Sequence, residues 1–255
     1  MAAALRVLAA LGVALLLIII TLAWAPATLA ARGVLEASGG ALTLADARGR
    51  LVAGQARLVD SGHHVSVPVA WTLDTGALLA GALVVHLGSG PEDRVRGVVR
   101  VTRDAIAFDA TDITLPAAFA SAWWPPVVAI DIGGDLHLTA GAWRIGADPR
   151  GDARAYWTPA RVADARGQTL DFGAVTASIA TRGDATVAAL ASAGGTTTIA
   201  GTVGVSGARV DADLTLTPRD ATPAPLLRAI SSFGAPAPAG GTRFAYHGTL
   251  AANAR

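Results

Sequence analysis

The chain has 255 residues, of which 52% are hydrophobic and 15% charged, and this balance is too apolar for a disordered protein. It contains no cysteine and no lysine, which excludes disulfides, thiolate metal sites, thiol nucleophiles, Schiff bases and a phosphate-loop lysine. The formal net charge is +1 and the arginines are scattered singly, so the chain carries no electrostatic footprint for nucleic acid.

The first predicted element is an apolar run at the N-terminus. Val7–Trp24 has no charged residue. About 18 residues at about 1.5 Å each nearly cross a hydrocarbon core of about 30 Å, and adding Ala25–Ala31 completes a span. A cleaved signal peptide is the alternative, but the length of the run and the position of Pro26 favour an uncleaved anchor. The amino terminus and Arg6 before the run, against Arg32 alone after it, give a weak positive-inside bias, which predicts a single-pass inner-membrane protein whose body lies in the periplasm.

After the anchor, short runs of alternating polar and apolar residues are separated by turn signals, a pattern typical of half-buried antiparallel strands. In Ala208–Thr217, Val210 and Leu214 share one face while Asp211 and Asp213 share the other. The other predicted strands are Leu42–Leu51, Val65–Leu73, Ala77–Leu87, Val95–Val101, Ile106–Leu115, Asp135–Ile145, Ala153–Trp157, Ala174–Ala180, Thr186–Leu190, Thr196–Val205 and Arg243–Leu250.

Two short segments have helical spacing instead. Pro116–Trp124 places Phe119 one turn before Trp123, and Pro225–Phe233 carries an apolar stripe. Each begins with proline, which suits the first helical position. We therefore predict two helices of two or three turns, the second packed on the sheet of the C-terminal module.

The order of these elements indicates an internal duplication. GGALTL, VPVAWTLD and DITLP in the first half correspond to GGDLHL, ARAYWTP and DLTLTP in the second. The predicted fold is therefore all-β, with antiparallel strands in one or two stacked curved-sheet or sandwich modules after a single transmembrane helix. The predicted domains are 1–31 for the cytoplasmic tip and anchor, 32–126 for the first β module and 127–255 for the second.

Four tryptophans are candidate structural or contact residues. Trp71 and Trp157 occupy equivalent strands of the duplication, while Trp123 and Trp124 precede two prolines at the predicted module junction. The pair at the junction reads as a rigid connector that either staples the modules together or marks an exposed contact.

Residues for catalysis or metal binding do not assemble into a recognisable pattern. Of the five histidines only His63 and His64 are close in sequence, and adjacent strand residues point to opposite faces. The alternation places the Asp211 and Asp213 carboxylates on a solvated face. We predict no catalytic residue, metal or cofactor.

The chain resembles the N component of type II secretion systems, also called general secretion pathway protein N. The likeness follows the order of features after the N-terminal span: VPVAWTLD, ALLAGALVVHL, LPAAF, YWTPA at Tyr156–Ala160, and DLTLTPRDATPAPLLRAISSFG at Asp213–Gly234. One departure is Leu51-Val52-Ala53-Gly54, where members of the family often have Trp-x-Gly.

The resemblance implies a non-enzymatic accessory subunit, with other secretion-system proteins as partners and no catalytic residues to carry over. An alternative is a periplasmic lipid or lipopolysaccharide carrier, which would require a continuous open apolar groove. A periplasmic hydrolase is a third and weaker hypothesis, because the sequence carries no recognisable catalytic constellation.

Overall fold

A computed structural model describes residues 24–60, 65–88, 94–122, 130–146, 149–164, 167–219, 234–237 and 241–249. The chain divides into two compact units, Met1–Asp93 and Arg94–Arg255, called here the N-terminal and C-terminal units. The division into modules at 126/127 stays a prediction.

The described part of the N-terminal unit contains two helices and four strands, and the strands pair antiparallel in sequence order. Asp74 caps the second helix, because its Oδ1 accepts hydrogen bonds from the backbone N–H groups of Gly76 and Ala77. The elements are α1 (Thr28–Ala37), β1 (Leu42–Arg50), β2 (Ala53–Asp60), β3 (Ser66–Leu73), α2 (Thr75–Leu79) and β4 (Leu83–Leu87).

The C-terminal unit is an antiparallel meander in the order β5-β6-β7-β8-β9-β10-β11-β12-β14-β13. Two of its hairpins close with two-residue loops, each of which begins with a glycine at positive φ: Gly183 at 61° and Gly207 at 57°. Such tight loops require a positive φ at this position. Its elements are β5 (Val95–Val101), β6 (Ala105–Pro116), a 3₁₀ helix (Ala117–Ala122), β7 (Ile130–Gly146), β8 (Arg150–Asp164), β9 (Thr169–Arg182), β10 (Ala185–Ala193), β11 (Thr197–Ser206), β12 (Arg209–Pro218), β13 (Ala235–Pro236) and β14 (Thr242–Thr249).

Each unit has its own apolar cluster. In the N-terminal unit, Ala27, Ala56 and Trp71 are buried, and Leu44, Val85 and other half-buried residues pack against them. In the C-terminal unit the buried residues are Ala160, Phe172 and Val175, packed with half-buried side chains from neighbouring strands. Because the described strands of each unit belong to one sheet, these clusters lie on one sheet face instead of between two stacked sheets.

The all-β antiparallel prediction is confirmed, and most strand positions agree with it. Ala77–Leu87 is corrected: its first residues belong to α2, and only Leu83–Leu87 forms a strand. Strand β2 was not predicted, because AGQARLVD lacks a regular alternation of large apolar residues. The described strands form a single sheet, so they provide no second sheet for the predicted sandwich.

The two predicted helices have different outcomes. Pro116 is the last residue of β6, and the segment after it is a 3₁₀ helix, shorter and tighter than predicted, with Phe119 2% exposed. The predicted helix Pro225–Phe233 lies outside the described residues.

The predicted anchor reaches the described part of the chain only at its end. Ala25 and Ala27 pair with the strand edge, through hydrogen bonds Leu51 N–H to Ala25 O at 2.7 Å and Ala27 N–H to Gly49 O at 3.3 Å. Ala27 is 1% exposed, and α1 begins at Thr28. Residues 25–31, assigned to the span from sequence, therefore pack on the N-terminal unit. Within the described ranges, none of the helices has the length and hydropathy needed to cross a membrane.

Candidate interaction surfaces

Two of the four candidate tryptophans lie inside the described sheets. Trp71 is 6% exposed, and its indole N–H donates a 2.9 Å hydrogen bond to Leu51 O. Trp157 is half-buried, donates to Gly133 O at 2.8 Å, and its ring centroid lies 6.2 Å from that of Phe172. Trp123 and Trp124 lie outside the described residues.

A glycine on the adjacent strand makes room for each indole ring. Gly54 pairs with Trp71, and a Cβ at Gly54 would lie 2.5 Å from the ring. Gly134 has φ of 99°, and a Cβ there would meet Pro159 O and lie 3.1 Å from Trp157 Nε1. The two tryptophans aligned by the predicted duplication thus have the same local arrangement, an indole against a glycine with its N–H bound to a nearby carbonyl.

Two contacts bring together side chains with catalytic potential, and the first of them, at His137, lacks hydrogen-bond geometry. His137 Nε2 lies 3.0 Å from Asp112 Oδ1, and the Ser206 hydroxyl donates to Asp184 Oδ2 at 3.1 Å. Across the part of the chain that the structure describes, no group of three or more His, Cys, Asp or Glu side chains is arranged to hold a metal ion. These contacts form isolated pairs and not a nucleophile, base and orienter.

A row of charged side chains crosses strands β12 and β14. Asp211 lies between His247, whose Nδ1 is 2.7 Å away, and Arg209, whose Nε is 3.1 Å away. Asp213 receives hydrogen bonds from Arg243 Nε at 2.7 Å and Nη2 at 2.5 Å. The wet face predicted for β12 is therefore confirmed and extends onto β14.

Hydrogen bonding sets the pKa values in this row. The contact with His247, aided by Arg209, holds the pKa of Asp211 below its ordinary 3.8 despite some desolvation. The hydrogen bonds from Arg243 do the same for Asp213, and Asp213 in turn raises the pKa of Arg243. Both carboxylates are therefore ionised across the physiological range and suited to solvated pairing.

The opposite face of the same strands is apolar. Leu214 and Leu216 of β12 pair with Phe244 and Thr242 of β14, and these side chains are half-buried except for the buried Thr242. Tyr246 on this face is 53% exposed. Strands β12 and β14 therefore present one charged and one apolar face.

Strands β1 and β14 differ in how their outer edges are covered. At the outer edge of β1, Pro26 bridges Arg50, α1 packs beside the strand, and a bulge at Asp46, with φ of 52°, shifts the register. Such devices block strand addition. Strand β14 pairs with β12 through eight consecutive residues without a register shift, whereas β13 covers only Thr242 and Arg243.

A shallow cleft of ≈ 550 Å³ crosses strands β6 to β9. Small side chains such as Ala140 and Ser178 form its floor, and Asp112, Asp152 and Arg154 stand among its lining residues. The lining mixes small apolar residues with these charged ones, which differs from the continuous apolar groove expected of a lipid carrier.

Comparison with known proteins places the chain in a family. Neither a curated protein nor a solved structure matches it. The family model "Type II secretion system (T2SS), protein N" matches residues 40–245, which run from just before β1 into β14 and include most of both units. The chain therefore belongs to the type II secretion system protein N family, as the resemblance in its sequence indicated.

Proposed function

We propose that this chain is a non-enzymatic accessory subunit of the type II secretion apparatus, held in the inner membrane by its N-terminal segment. Its β body lies in the periplasm and contacts other secretion-system proteins. The observation that carries this proposal is the family match over residues 40–245.

The described surfaces support a role in protein contacts. The charged row of Asp211, Asp213 and Arg243 is solvated and internally paired, and the indole N–H groups of Trp71 and Trp157 are satisfied within the sheets. An exposed sheet edge, in contrast, offers backbone groups to a partner chain. Recognition through edges and faces requires no catalytic group.

The position of the N-terminal segment supports membrane anchoring. The apolar run Val7–Trp24 leads directly into the N-terminal unit, because Ala25 and Ala27 already bond to the edge of β1. Trp24 is 71% exposed, and the guanidinium of Arg50 lies 4.7 Å from its ring centroid. An exposed tryptophan and arginine at the end of an apolar run suit the membrane–water interface. The body would then stand close to the membrane surface.

Deletion and crosslinking test the proposal. We expect deletion of the gene to reduce export of folded substrates, which then accumulate in the periplasm. A photoreactive residue at exposed Tyr156 or Tyr246 should crosslink to known secretion-system subunits, whereas one at buried Phe119 should not. Normal export, together with recovery of lipids as the sole crosslinked species, would overturn the proposal in favour of lipid carriage.

The mass of the chain extracted from membranes tests the anchor. We expect a mass that includes the apolar run Val7–Trp24. A mature chain that begins near Pro26 or Ala31 would show cleavage and exclude the uncleaved anchor.

A further inference from the structure

Arginines that are scattered singly in the sequence meet in one row across strands β5 to β9. Each residue of the row lies directly opposite the next one on the neighbouring strand, so their side chains point to the same face of the sheet. With strands about 4.8 Å apart, the row is about 19 Å long. We call it the arginine row, and it consists of Arg100, Ala107, Arg144, Arg150 and Arg182.

A second row of side chains runs beside it on the same face. Arg150 and Arg154 are four residues apart on β8, in a part of its ladder with β9 that has no register shift, so both side chains point the same way. The second row consists of Arg96, Asp112, Thr139, Arg154 and Ser178. All of these residues except Arg96 line the cleft of ≈ 550 Å³. The cleft therefore lies beside the arginine row.

Positive charge is in excess on this face. The two rows and the positions between them hold six arginines but three aspartates, Asp109, Asp112 and Asp152. Asp152 is already bound, because Arg182 Nη2 lies 3.0 Å from its Oδ1 and 3.1 Å from its Oδ2. Asp112 Oδ1 lies 3.0 Å from His137 Nε2. A surplus of positive charge therefore remains after pairing within the sheet.

Three of the arginines are available to a partner. Within the described ranges, no ion pair engages Arg100, Arg144 or Arg154. Arg100 and Arg154 are exposed, and Arg144 is half-buried. Arg144 also lies directly opposite Arg150, and like charges at such positions destabilise a sheet. An anionic partner would offset this repulsion.

We propose that the arginine row and the cleft beside it bind an acidic segment of a partner protein, whose carboxylates pair with Arg144 and Arg154. A guanidinium group binds a carboxylate through two parallel hydrogen bonds, which give both affinity and orientation. An extended segment of about six residues spans the arginine row at about 3.3 Å per residue. This inference rests on the proposed function, because it gives the chemistry by which an accessory subunit selects its partner.

The composition of this face favours a protein segment over a membrane surface. Surfaces that enter a lipid interface combine basic residues with exposed tryptophan, phenylalanine or leucine. In the two rows and between them, the largest apolar side chain is Val98, which is half-buried. The face is therefore suited to the carboxylates and hydrogen-bonding groups of a polar chain.

Binding of a defined acidic peptide tests the charge complementarity. The probe is a fluorescent peptide of about 12 glutamates, more than enough to cross the row, mixed with the full chain in a nonionic detergent. By fluorescence anisotropy, the double variant Arg144→Gln/Arg154→Gln should bind the peptide about tenfold more weakly. The matched control Arg48→Gln/Arg57→Gln removes the same charge from exposed positions of the N-terminal unit and should change the affinity less than about twofold.

Single variants at position 144 separate binding from stability. Arg144→Gln should leave the melting temperature unchanged or slightly raised, because it removes the repulsion from Arg150. Arg144→Lys keeps the charge and should retain most of the peptide affinity. A structural role for this arginine predicts the opposite, a lower melting temperature with unchanged peptide binding.

Photocrosslinking in cells identifies the segment itself. A photoreactive residue at Ser178, which is exposed in the cleft, should crosslink to a peptide rich in aspartate and glutamate. The crosslink should disappear in Arg144→Glu/Arg154→Glu. Ile145 is the control position, because it is 45% exposed and follows Arg144 on the same strand, so it points to the opposite face. It should not recover the acidic peptide.

Three outcomes would overturn the proposal. The first is equal loss of peptide affinity in the double variant and its control, which would show attraction without a site. The second is a crosslinked peptide at Ser178 with no excess of acidic residues. The third is arginine-dependent binding to vesicles that contain phosphatidylglycerol without binding of the glutamate peptide, which would assign the face to lipid. A non-acidic crosslinked peptide from a secretion-system subunit would refute this inference and leave the proposed function standing.

Discussion

Trp71 and Trp157 make the same contact in the two units but are buried to different degrees. Around Trp71, Ala27 and Ala30 come from the segment before the sheet and complete a closed cluster. Around Trp157, the described members of the cluster all lie in strands, and its ring stays partly exposed. The same local motif is thus sealed by an added segment in one unit and left on a half-open face in the other.

The indole–glycine arrangement is therefore a property of the strand pair, whereas the burial of the indole ring depends on which segments pack over it. A residue's contribution to stability follows the burial and packing of its side chain. Matching variants at Trp71 and Trp157 therefore separate the contribution of the local indole–glycine contact from the contribution of ring burial.

The largest expected effect is at Trp71. Trp71→Ala leaves a cavity in a closed cluster and should lower the free energy of unfolding by about 3–5 kcal/mol. Trp157→Ala should cost less, because part of its ring is already in water. Urea denaturation of the full chain in detergent measures both. As a surface control, Tyr156→Ala should change stability by no more than about 0.5 kcal/mol, because Tyr156 is 41% exposed. Equal or reversed losses at the two tryptophans would refute the comparison.

The next largest loss of stability is expected at a glycine that contacts one of the indole rings. Gly134→Ala should cost about 1–3 kcal/mol from backbone strain alone, because φ is 99° there and the new Cβ would meet Pro159 O. Gly141→Ala on the same strand is the matched control, since nothing lies within 4 Å of its Cβ position. Thermal melting compares the pair. A Gly141→Ala variant as unstable as Gly134→Ala would mean that the strand rejects any side chain, whatever its contacts.

A smaller loss of stability is expected when the indole is replaced by a phenyl ring, which keeps an aromatic side chain but removes the N–H donor. Trp71→Phe and Trp157→Phe each leave a carbonyl, Leu51 O or Gly133 O, without its donor. The lost hydrogen bond should cost about 1 kcal/mol at each site, plus a packing loss that is larger at the closed Trp71 site. Shifts in the urea midpoint at constant slope measure this. A larger loss at Trp157 would show that its hydrogen bond, and not burial, dominates there.

The smallest effect concerns the charged row of the C-terminal unit. Because Arg243 lowers the pKa of Asp213 below 3.8, the ionised carboxylate stabilises the fold above that pH, and this contribution disappears as the pH falls through the folded pKa. Asp213→Asn should therefore melt slightly lower than the unmodified chain at pH 7, and the difference in melting temperature should shrink as the pH falls below 3.8.

Arg243→Gln provides the control for that measurement. It should reproduce the loss seen with Asp213→Asn, and the double variant should add little, since both remove one exposed pair. Additive losses would show that the two residues act through separate contacts. High salt should also shrink the effect, because the pair is solvated.

The all-β class, the wet and dry faces of β12 and the family could be predicted from the amino-acid sequence alone. Alternation with period two is a local property, so Asp211 and Asp213 could be assigned to one face without knowledge of their neighbours. The predicted duplication also aligned Trp71 with Trp157, whose indoles have the same kind of local contact. Local signals sufficed for these features because each of them depends only on residues that are close together in the sequence.

The side chains that contact each other across strands could be identified only from the tertiary structure. The glycines under the indoles, the contact of His247 with Asp211 at 2.7 Å and the packing of Ala27 beside Trp71 join residues far apart in sequence. Strand β2 was not predicted because AGQARLVD lacks a regular alternation of large apolar residues, and the strand is held by pairing with β1 and β3. The cover of the strand edges could not be predicted either. The contact of Pro26 with β1 and the short pairing of β13 with β14 depend on which strands are neighbours, a property of the register and not of any single segment.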